Sequence, residues 1–389
     1  MEDAHTPGSI GLSEAARRAS RLVIKVGTST LTDAQGRIDR AFIADLTAQL
    51  AALRLQGSDV VFVSSGAIRA GRELLPSRTP DTLPYKQAAA AIGQGRLMHL
   101  YTEAFAWRNV PCAQVLLTRE DLADRRRFLN ARNTLQTLLA LGVVPVINEN
   151  DTVSVDEIKF GDNDTLAALV ATLVEADLLL ILSDVEGLYD RPPQDPEARL
   201  IPLVPRVDRA VLQRAGGSVS GMGTGGMRTK VEAARIATGA GIRTVIARGR
   251  RERVVLDVVA GHPIGTTFLP CTSTRLPARK RWIAHGLRPR GLITVNAGAA
   301  EKLRRNGVSL LAVGITHVAG TFASGDLIEV CDEQGCVFAR GLTNYPSDEL
   351  RRIQGLRSEQ FESVLGYRGF EEVIHRDNLV LDGSVDPVE

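Results

Sequence analysis

Leu22-Val23-Ile24-Lys25-Val26-Gly27 is an apolar run of strand length, interrupted by one lysine and closed by a glycine. A continuous apolar run this short reads as a strand buried on both faces. Asp59-Val60-Val61-Phe62-Val63-Ser64-Ser65-Gly66 repeats the pattern and ends in a small-residue turn. Val110 to Leu116, Val143 to Ile147, Leu178 to Leu182 and Thr244 to Ala247 continue it. Helical periodicity fills the gaps at Phe42 to Leu55, Thr134 to Leu141, Asp164 to Glu175 and Thr229 to Thr238, with Gly57 as a stop after the first. Apolar strands alternating with helices predict an α/β fold, a mostly parallel sheet sandwiched by helices. In such sheets the ligand crevice lies at the carboxyl ends of the strands. Lys25 falls near the end of one predicted strand, and Ser64, Ser65 and Gly66 at the end of another. Asn148, Asn150 and Asp151 follow a third, and Ser183 and Asp184 a fourth. Polar residues gathered at one edge argue for a single site.

The stretch Ser218 to Lys230, Ser-Val-Ser-Gly-Met-Gly-Thr-Gly-Gly-Met-Arg-Thr-Lys, runs into the helical pattern that follows. Glycines let backbone N–H groups turn toward one anion, and a helix N-terminus adds positive potential there. Lys230 lies in the first turn, where a cation opposes the helix dipole, so a negative ligand beside it is expected. A surface loop with an incidental lysine is the plainer alternative for this stretch alone. A Walker A motif is excluded because Met227, not Gly-Lys-Ser/Thr, follows Gly226. No good strand leads directly into the glycines, so the dinucleotide fingerprint fits badly. Lys25 poses the same question, since a charge in an apolar strand is costly unless something negative meets it. Snorkelling at the strand end is the alternative there.

A chain of 389 residues has room for two domains. A net charge of +2 gives no global attraction to nucleic acid or membrane. Residues 1–20 are polar, with no apolar core of signal-peptide length, and no run reaches membrane-span length. Four scattered cysteines suit reduced thiols and a cytoplasmic setting better than a disulfide framework or a zinc site. Arg275, Arg279, Lys280, Arg281, Arg288 and Arg290 cluster among prolines and read as a solvated basic linker. Beyond it, Gly291 to Val295, Leu310 to Val313, Asp326 to Val330 and Val337 to Arg340 read as short strands of a small β-rich domain. The expected boundaries are a polar tail at 1–20, a first domain at 21–275, a linker at 276–290, a second domain at 291–370 and a tail at 371–389.

Several blocks, taken in order, resemble the amino acid kinase family, in particular its glutamate 5-kinase branch. They are Val23-Ile24-Lys25-Val26-Gly27-Thr28-Ser29, Val63-Ser64-Ser65-Gly66-Ala67, Leu117-Thr118-Arg119 and Phe128-Leu129-Asn130-Ala131-Arg132-Asn133-Thr134-Leu135. Ile147-Asn148-Glu149-Asn150-Asp151 followed by Phe160-Gly161-Asp162-Asn163-Asp164 is the most specific pair. Leu182-Ser183-Asp184-Val185-Glu186-Gly187-Leu188-Tyr189 and Gly223-Thr224-Gly225-Gly226-Met227-Arg228-Thr229-Lys230 complete the set. Ser183 stands where threonine is expected, and both carry a hydroxyl. Gly320-Thr321-Phe322-Ala323-Ser324-Gly325-Asp326 resembles part of a PUA domain.

The resemblance implies transfer of the ATP γ-phosphoryl group to the side-chain carboxylate of L-glutamate, the first step of proline biosynthesis. A carboxylate with a reference pKa of about 4.3 is ionised at pH 7, so the nucleophile needs no general base. Positioning and positive charge then carry the catalysis, because an anion must approach a polyanion. By resemblance, Lys25 contacts the transferring group, Lys230 neutralises the leaving side, and Asp164 orients both. Asp162 or Asp164 could also cap the helix that follows. The family places glutamate at Ser65, Gly66, Asp151 and Asn163: Asp151 accepts from the ammonium, Asn163 holds ammonium or carboxylate, and Ser65 donates to a carboxylate. ATP is expected across Lys25, Gly27, Ser183, Asp184, Thr224, Gly225, Gly226, Met227, Arg228, Thr229 and Lys230. Magnesium is expected on phosphate oxygens and water, with no dedicated protein cage. The family also suggests a homo-oligomer, dimer or tetramer, with proline as a candidate feedback inhibitor.

Three other readings compete. Another phosphotransferase of the same family, acting on carbamate, aspartate or a nucleoside monophosphate, fits the Asn130-Ala131-Arg132-Asn133 block and the PUA-like tail less well. An RNA-binding or RNA-modifying protein is suggested by the tail. From residue 286 onward, however, 11 Lys and Arg face 15 Asp and Glu, the opposite of an electrostatic RNA footprint. A catalytically silent homologue is disfavoured by the presence of Lys25, Asp164 and Lys230.

Overall fold

Strand β1 (Arg21–Val26) runs between two parallel partners, β2 (Asp59–Val63) and β5 (Leu178–Ser183). We read this from a computed structural model that describes residues 20–76, 81–153, 163–216, 226–270, 283, 289–306, 308–367 and 369–381. With β3 (Cys112–Leu117), β4 (Val144–Glu149), β6 (Leu203–Val204), β7 (Arg243–Arg248) and β8 (Thr266–Phe268), these strands form an eight-stranded sheet. Its order is β3-β4-β2-β1-β5-β7-β8-β6. Among the described residues, only the β7–β8 pair of this sheet is antiparallel. The chain builds β2, β3 and β4 on one side of β1 and then crosses to β5 on the other. The order therefore reverses beside β1, and a crevice opens outside the carboxyl ends at such a switch point.

Side chains alternate across a strand, and β1 shows what that does. Leu22, Ile24 and Val26 enter a core with Ile43, Leu46 and Leu50 of helix α1 (Arg40–Leu55). Lys25 takes the other face, where it meets Asp164. Asp39 caps α1, its carboxylate accepting from Phe42 N at 3.0 Å, and Gly57 at φ +92° closes the helix end. Helix α2 (Ala67–Arg72) follows β2. Helix α3 (Leu83–Ala106) spans 24 residues, although its alanine-rich stretch gave no periodic signal. Glycines explain its place. A Cβ on Gly93 would stand 1.8 Å from Ala67 O, and one on Gly71 1.8 Å from Ala89 O, so α2 and α3 touch backbone to backbone. Helix α4 (Arg125–Ala140) starts nine residues before its expected beginning, because Asp124 caps it by accepting from Arg127 N at 2.8 Å. Helices α5 (Asn163–Leu173) and α6 (Met227–Gly239) match their predicted patterns closely.

The chain divides into two compact units, residues 1–275 and 276–389. The second holds a five-stranded sheet ordered β10-β9-β11-β12-β13, built from β9 (Gly291–Val295), β10 (Ile315–Gly320), β11 (Leu327–Cys331), β12 (Val337–Leu342) and β13 (Leu379–Leu381). Two expectations fail here. The strand expected at Leu310 to Val313 is a bridge at Leu310 and a 3-10 turn at Ala312–Gly314, closed by Gly314 N donating to Leu311 O. The segment 371–381, expected within a tail, supplies β13 and the fully buried Val373 and Ile374. β13 pairs antiparallel with β12, and Val373 and Ile374 pack into the core of this unit. Among the described residues no helix is long and apolar enough to cross a membrane.

Candidate active site

Three chain segments bring charge together at the carboxyl edge of the sheet. Lys25 is the next-to-last residue of β1, Asp164 is the second residue of α5, and Lys230 lies in the first turn of α6. All three are buried, Asp164 completely. The Asp164 carboxylate bridges the two amines: Oδ1 pairs with Lys25 Nζ, and Oδ2 lies 3.1 Å from Lys230 Nζ. Thr229 Oγ1 also lies 3.1 Å from Oδ2, and Thr229 Oγ1 is 2.8 Å from Gly226 O. An acid in a helix's first turn is favourable and a lysine there is not. The α5 acid therefore holds the α6 lysine in a place the dipole disfavours. A Cβ on Gly27 would stand 3.7 Å from Lys25 Nζ, which sets that amine over the first residue beyond β1.

A second polar chain runs alongside. Asn163, the first residue of α5, donates from Nδ2 to Ser65 Oγ at 3.0 Å and to Asn148 Oδ1 at 3.0 Å. Asn148 Oδ1 also accepts from Glu149 N at 2.9 Å, and Asn148 Nδ2 donates to Gln94 Oε1 at 2.8 Å. Asn163 Oδ1 is buried and, among the described residues, accepts no hydrogen bond. Ser65 accepts from Asn163, which leaves its own proton to give. Gly66, at φ +90°, makes the left-handed turn that starts α2 beside Ser65. Asp151 stands just past β4, partly buried, and burial pushes its carboxyl up to about 6.

On the β5 side an open cleft is lined by residues including Ser183, Asp184, Tyr189, Pro192, Gly226, Met227 and Lys230. Ser183 Oγ lies 3.1 Å from Asp184 Oδ1. Lys230 belongs both to this cleft and to the Asp164 cluster, so the cleft opens onto the paired lysines. Among the described residues, a Cβ on Gly226 would meet nothing within 4 Å.

Of the residues singled out in the sequence, Lys25, Asp164, Thr229 and Lys230 are in direct contact, and Ser65 and Asn163 form a hydrogen-bonded pair. Ser183, Asp184, Gly226 and Met227 share the cleft. Arg228 does not face it: its guanidinium lies on the surface of α6, 3.5 Å from Glu232, one turn on. Thr224 and Gly225 lie outside the described residues. Asn148 was noticed only as an edge residue, and the structure makes it the hub of the polar chain. Gln94 carried no signal, being one glutamine in an alanine-rich helix. Tyr189 and Pro192 went unnoticed as cleft walls, although Tyr189 closes the quoted Ser183 block. Among the described residues no three His, Cys, Asp or Glu side chains come together.

The sequence profile of the amino acid kinase family matches residues 20–248, and that of the PUA domain matches residues 291–365. The chain is 52% identical over 371 residues to the glutamate 5-kinase of Citrifermentans bemidjiense, covering 95% of this chain and 99% of that one. It is 51% identical over 366 residues to the glutamate 5-kinase of Geobacter sulfurreducens, covering 94% and 98%. The glutamate 5-kinase of Synechococcus elongatus is 50% identical over 363 residues, with 92% and 99% covered. With the parallel sheet and its switch-point crevice, these matches show that the chain belongs to the amino acid kinase family and carries a PUA domain behind it.

Proposed function

We propose that this protein transfers the γ-phosphoryl group of ATP to the side-chain carboxylate of L-glutamate, giving L-glutamyl 5-phosphate. The observation that carries the proposal is the buried carboxylate of Asp164 holding Lys25 and Lys230 from opposite segments. Two ammonium groups converge where an anionic nucleophile must meet an anionic phosphate. The near-full-length relatives named glutamate 5-kinase support the choice of glutamate.

ATP occupies the cleft of Ser183, Asp184, Met227 and Lys230, with its phosphates toward Lys25 and Gly27. Lys25 binds the transferring group and Lys230 the leaving side. Asp164 keeps both amines in place, so no reorganisation is needed as charge develops. Glutamate lies at the other end. Its ammonium meets Asp151 and Asn163 Oδ1, and Ser65 with the Gly66 backbone donates to a carboxylate oxygen. The reacting carboxylate is already ionised, so no general base is required. Magnesium would enter with ATP and be held mainly by phosphate oxygens and water, supplying charge neutralisation there.

The kinase unit is placed at 21–275, the linker at 276–290 and the PUA-like unit from 291. Its net acidic balance argues against RNA as a partner. A cytoplasmic setting, a homo-oligomer of two or four chains and proline as feedback inhibitor go with the same proposal. Their support is the likeness to the glutamate 5-kinases. The test is an ATP- and magnesium-dependent assay in which hydroxylamine traps the acyl phosphate as a hydroxamate. L-Glutamate should far exceed L-aspartate, carbamate and UMP as substrate. Equal turnover of any of these would overturn the assignment.

A further inference from the structure

We infer that Gln94, on helix α3, is a positioning residue that sets the site's preference for the substrate ammonium, acting through Asn148 and Asn163. The inference rests on the glutamate kinase reading and extends it to a residue with no assigned role. It starts from the one unambiguous donor in the polar chain. The backbone N–H of Glu149 points at Asn148, so the Asn148 atom facing it must be the oxygen. The other end of that amide is then Nδ2, and it needs an acceptor. Gln94 Oε1, at 2.8 Å, is that acceptor. Held at both ends, the Asn148 amide offers Oδ1 to Asn163, whose Nδ2 donates to it. Ser65 Oγ takes the second Nδ2 proton. With both donors used, Asn163 has only Oδ1 left to offer, and that atom is the buried acceptor without a donor among the described residues. An ammonium satisfies it. A flipped Asn163 would offer N–H groups there and repel the same ammonium.

The fold explains how a glutamine on a distant helix reaches this site. Gly93 lets α3 touch α2 at Ala67 O, only two residues past Ser65. Two turns further along the same face of α3, Tyr101 OH lies 2.7 Å from Ser64 Oγ. Ser64 Oγ also lies within 3.2 Å of Ser65 O, to which it donates. The Ser64 proton is thereby used, so Tyr101 donates to Ser64. Helix α3 thus braces two strand-end segments, after β2 through Tyr101 and at β4 through Gln94.

The experiment is steady-state kinetics on the full-length protein and its Gln94→Met, Gln94→Ala and Gln94→Glu variants, with L-glutamate and ATP each varied. Gln94→Met removes the acceptor at nearly constant volume and leaves the Asn148 Nδ2 donor unsatisfied. It should raise KM for glutamate about tenfold, a typical loss for one unpaired buried polar group. KM for ATP and kcat should stay within about twofold, because Lys25, Asp164 and Lys230 are untouched. Gln94→Glu keeps an acceptor and should return KM for glutamate to within about threefold of wild type. Gln94→Ala serves the same purpose as Gln94→Met should the latter not fold. Unchanged KM for glutamate in both acceptor-free variants would overturn the inference. So would an equal rise in both KM values, or no rescue by Gln94→Glu. A wild-type protein that makes no hydroxamate from L-glutamate would instead overturn the kinase assignment, so the two failures are distinguishable.

Discussion

Replacing Asp151 by asparagine should make the protein more stable and a poorer enzyme at the same time. Burial raises the Asp151 carboxyl from its ordinary 3.8 to about 6. At about 1.4 kcal/mol per pH unit, holding this group ionised at pH 7 costs the fold about 3 kcal/mol. The sign follows from linkage. The folded state binds the proton more tightly than the unfolded state, so the cost is fully present above pH 6, fades as pH falls, and is gone below 3.8. Asp151→Asn is neutral throughout. It should gain up to about 3 kcal/mol at pH 7.5, less what burying the amide costs, or roughly 5–10 °C in Tm. That advantage should shrink steadily between pH 6 and pH 4. Binding runs the other way. The ammonium of glutamate needs the ionised carboxylate, and at pH 5 only about a tenth of the free enzyme offers it. KM for glutamate should therefore rise about tenfold between pH 6.5 and pH 5 in the wild type. In Asp151→Asn, KM should be high at every pH and nearly flat. The assays are thermal unfolding at pH 7.5, 6 and 4.5, and initial rates of ADP formation across the same range. A lower Tm for Asp151→Asn at pH 7.5, or a wild-type KM that ignores pH between 7 and 5, would refute the reasoning.

Two other outcomes are expected. Lys25→Ala and Lys230→Ala should each lower kcat by a factor on the order of 10² or more, with smaller effects on KM, since their charge matters most as the phosphoryl group moves; single-turnover rates near wild type would return either lysine to a structural role. A chain ending at residue 285 should fold and keep hydroxamate-forming activity, because every proposed catalytic group lies earlier; a well-folded but inactive truncation would place part of the site in the PUA unit.

Much of the sheet was legible residue by residue. Strands buried on both faces must be apolar throughout, and the runs at 22–27, 59–63, 178–182 and 244–247 show it directly. Lys25 stood out because a charge in such a run has no cheap explanation, and Lys230 because it opposes a helix dipole. Helix α3 was missed because its burial rests on glycine-mediated contact with α2, which no periodicity in an alanine-rich stretch records. The strand expected at 310–313 failed for a related reason, since apolar spacing does not distinguish an edge strand from a turn sealed against a core.

The sequence by itself determined which segments could be strands or helices and which residues were chemically out of place. These properties depend on neighbours a few positions away. Only the tertiary structure decided that Lys25 and Lys230 share one carboxylate, that Asn163 spends its donors on Ser65 and Asn148, and that Gln94 accepts from Asn148. These facts depend on strand order and on how closely two helices approach, and both are set by packing between segments far apart in the chain.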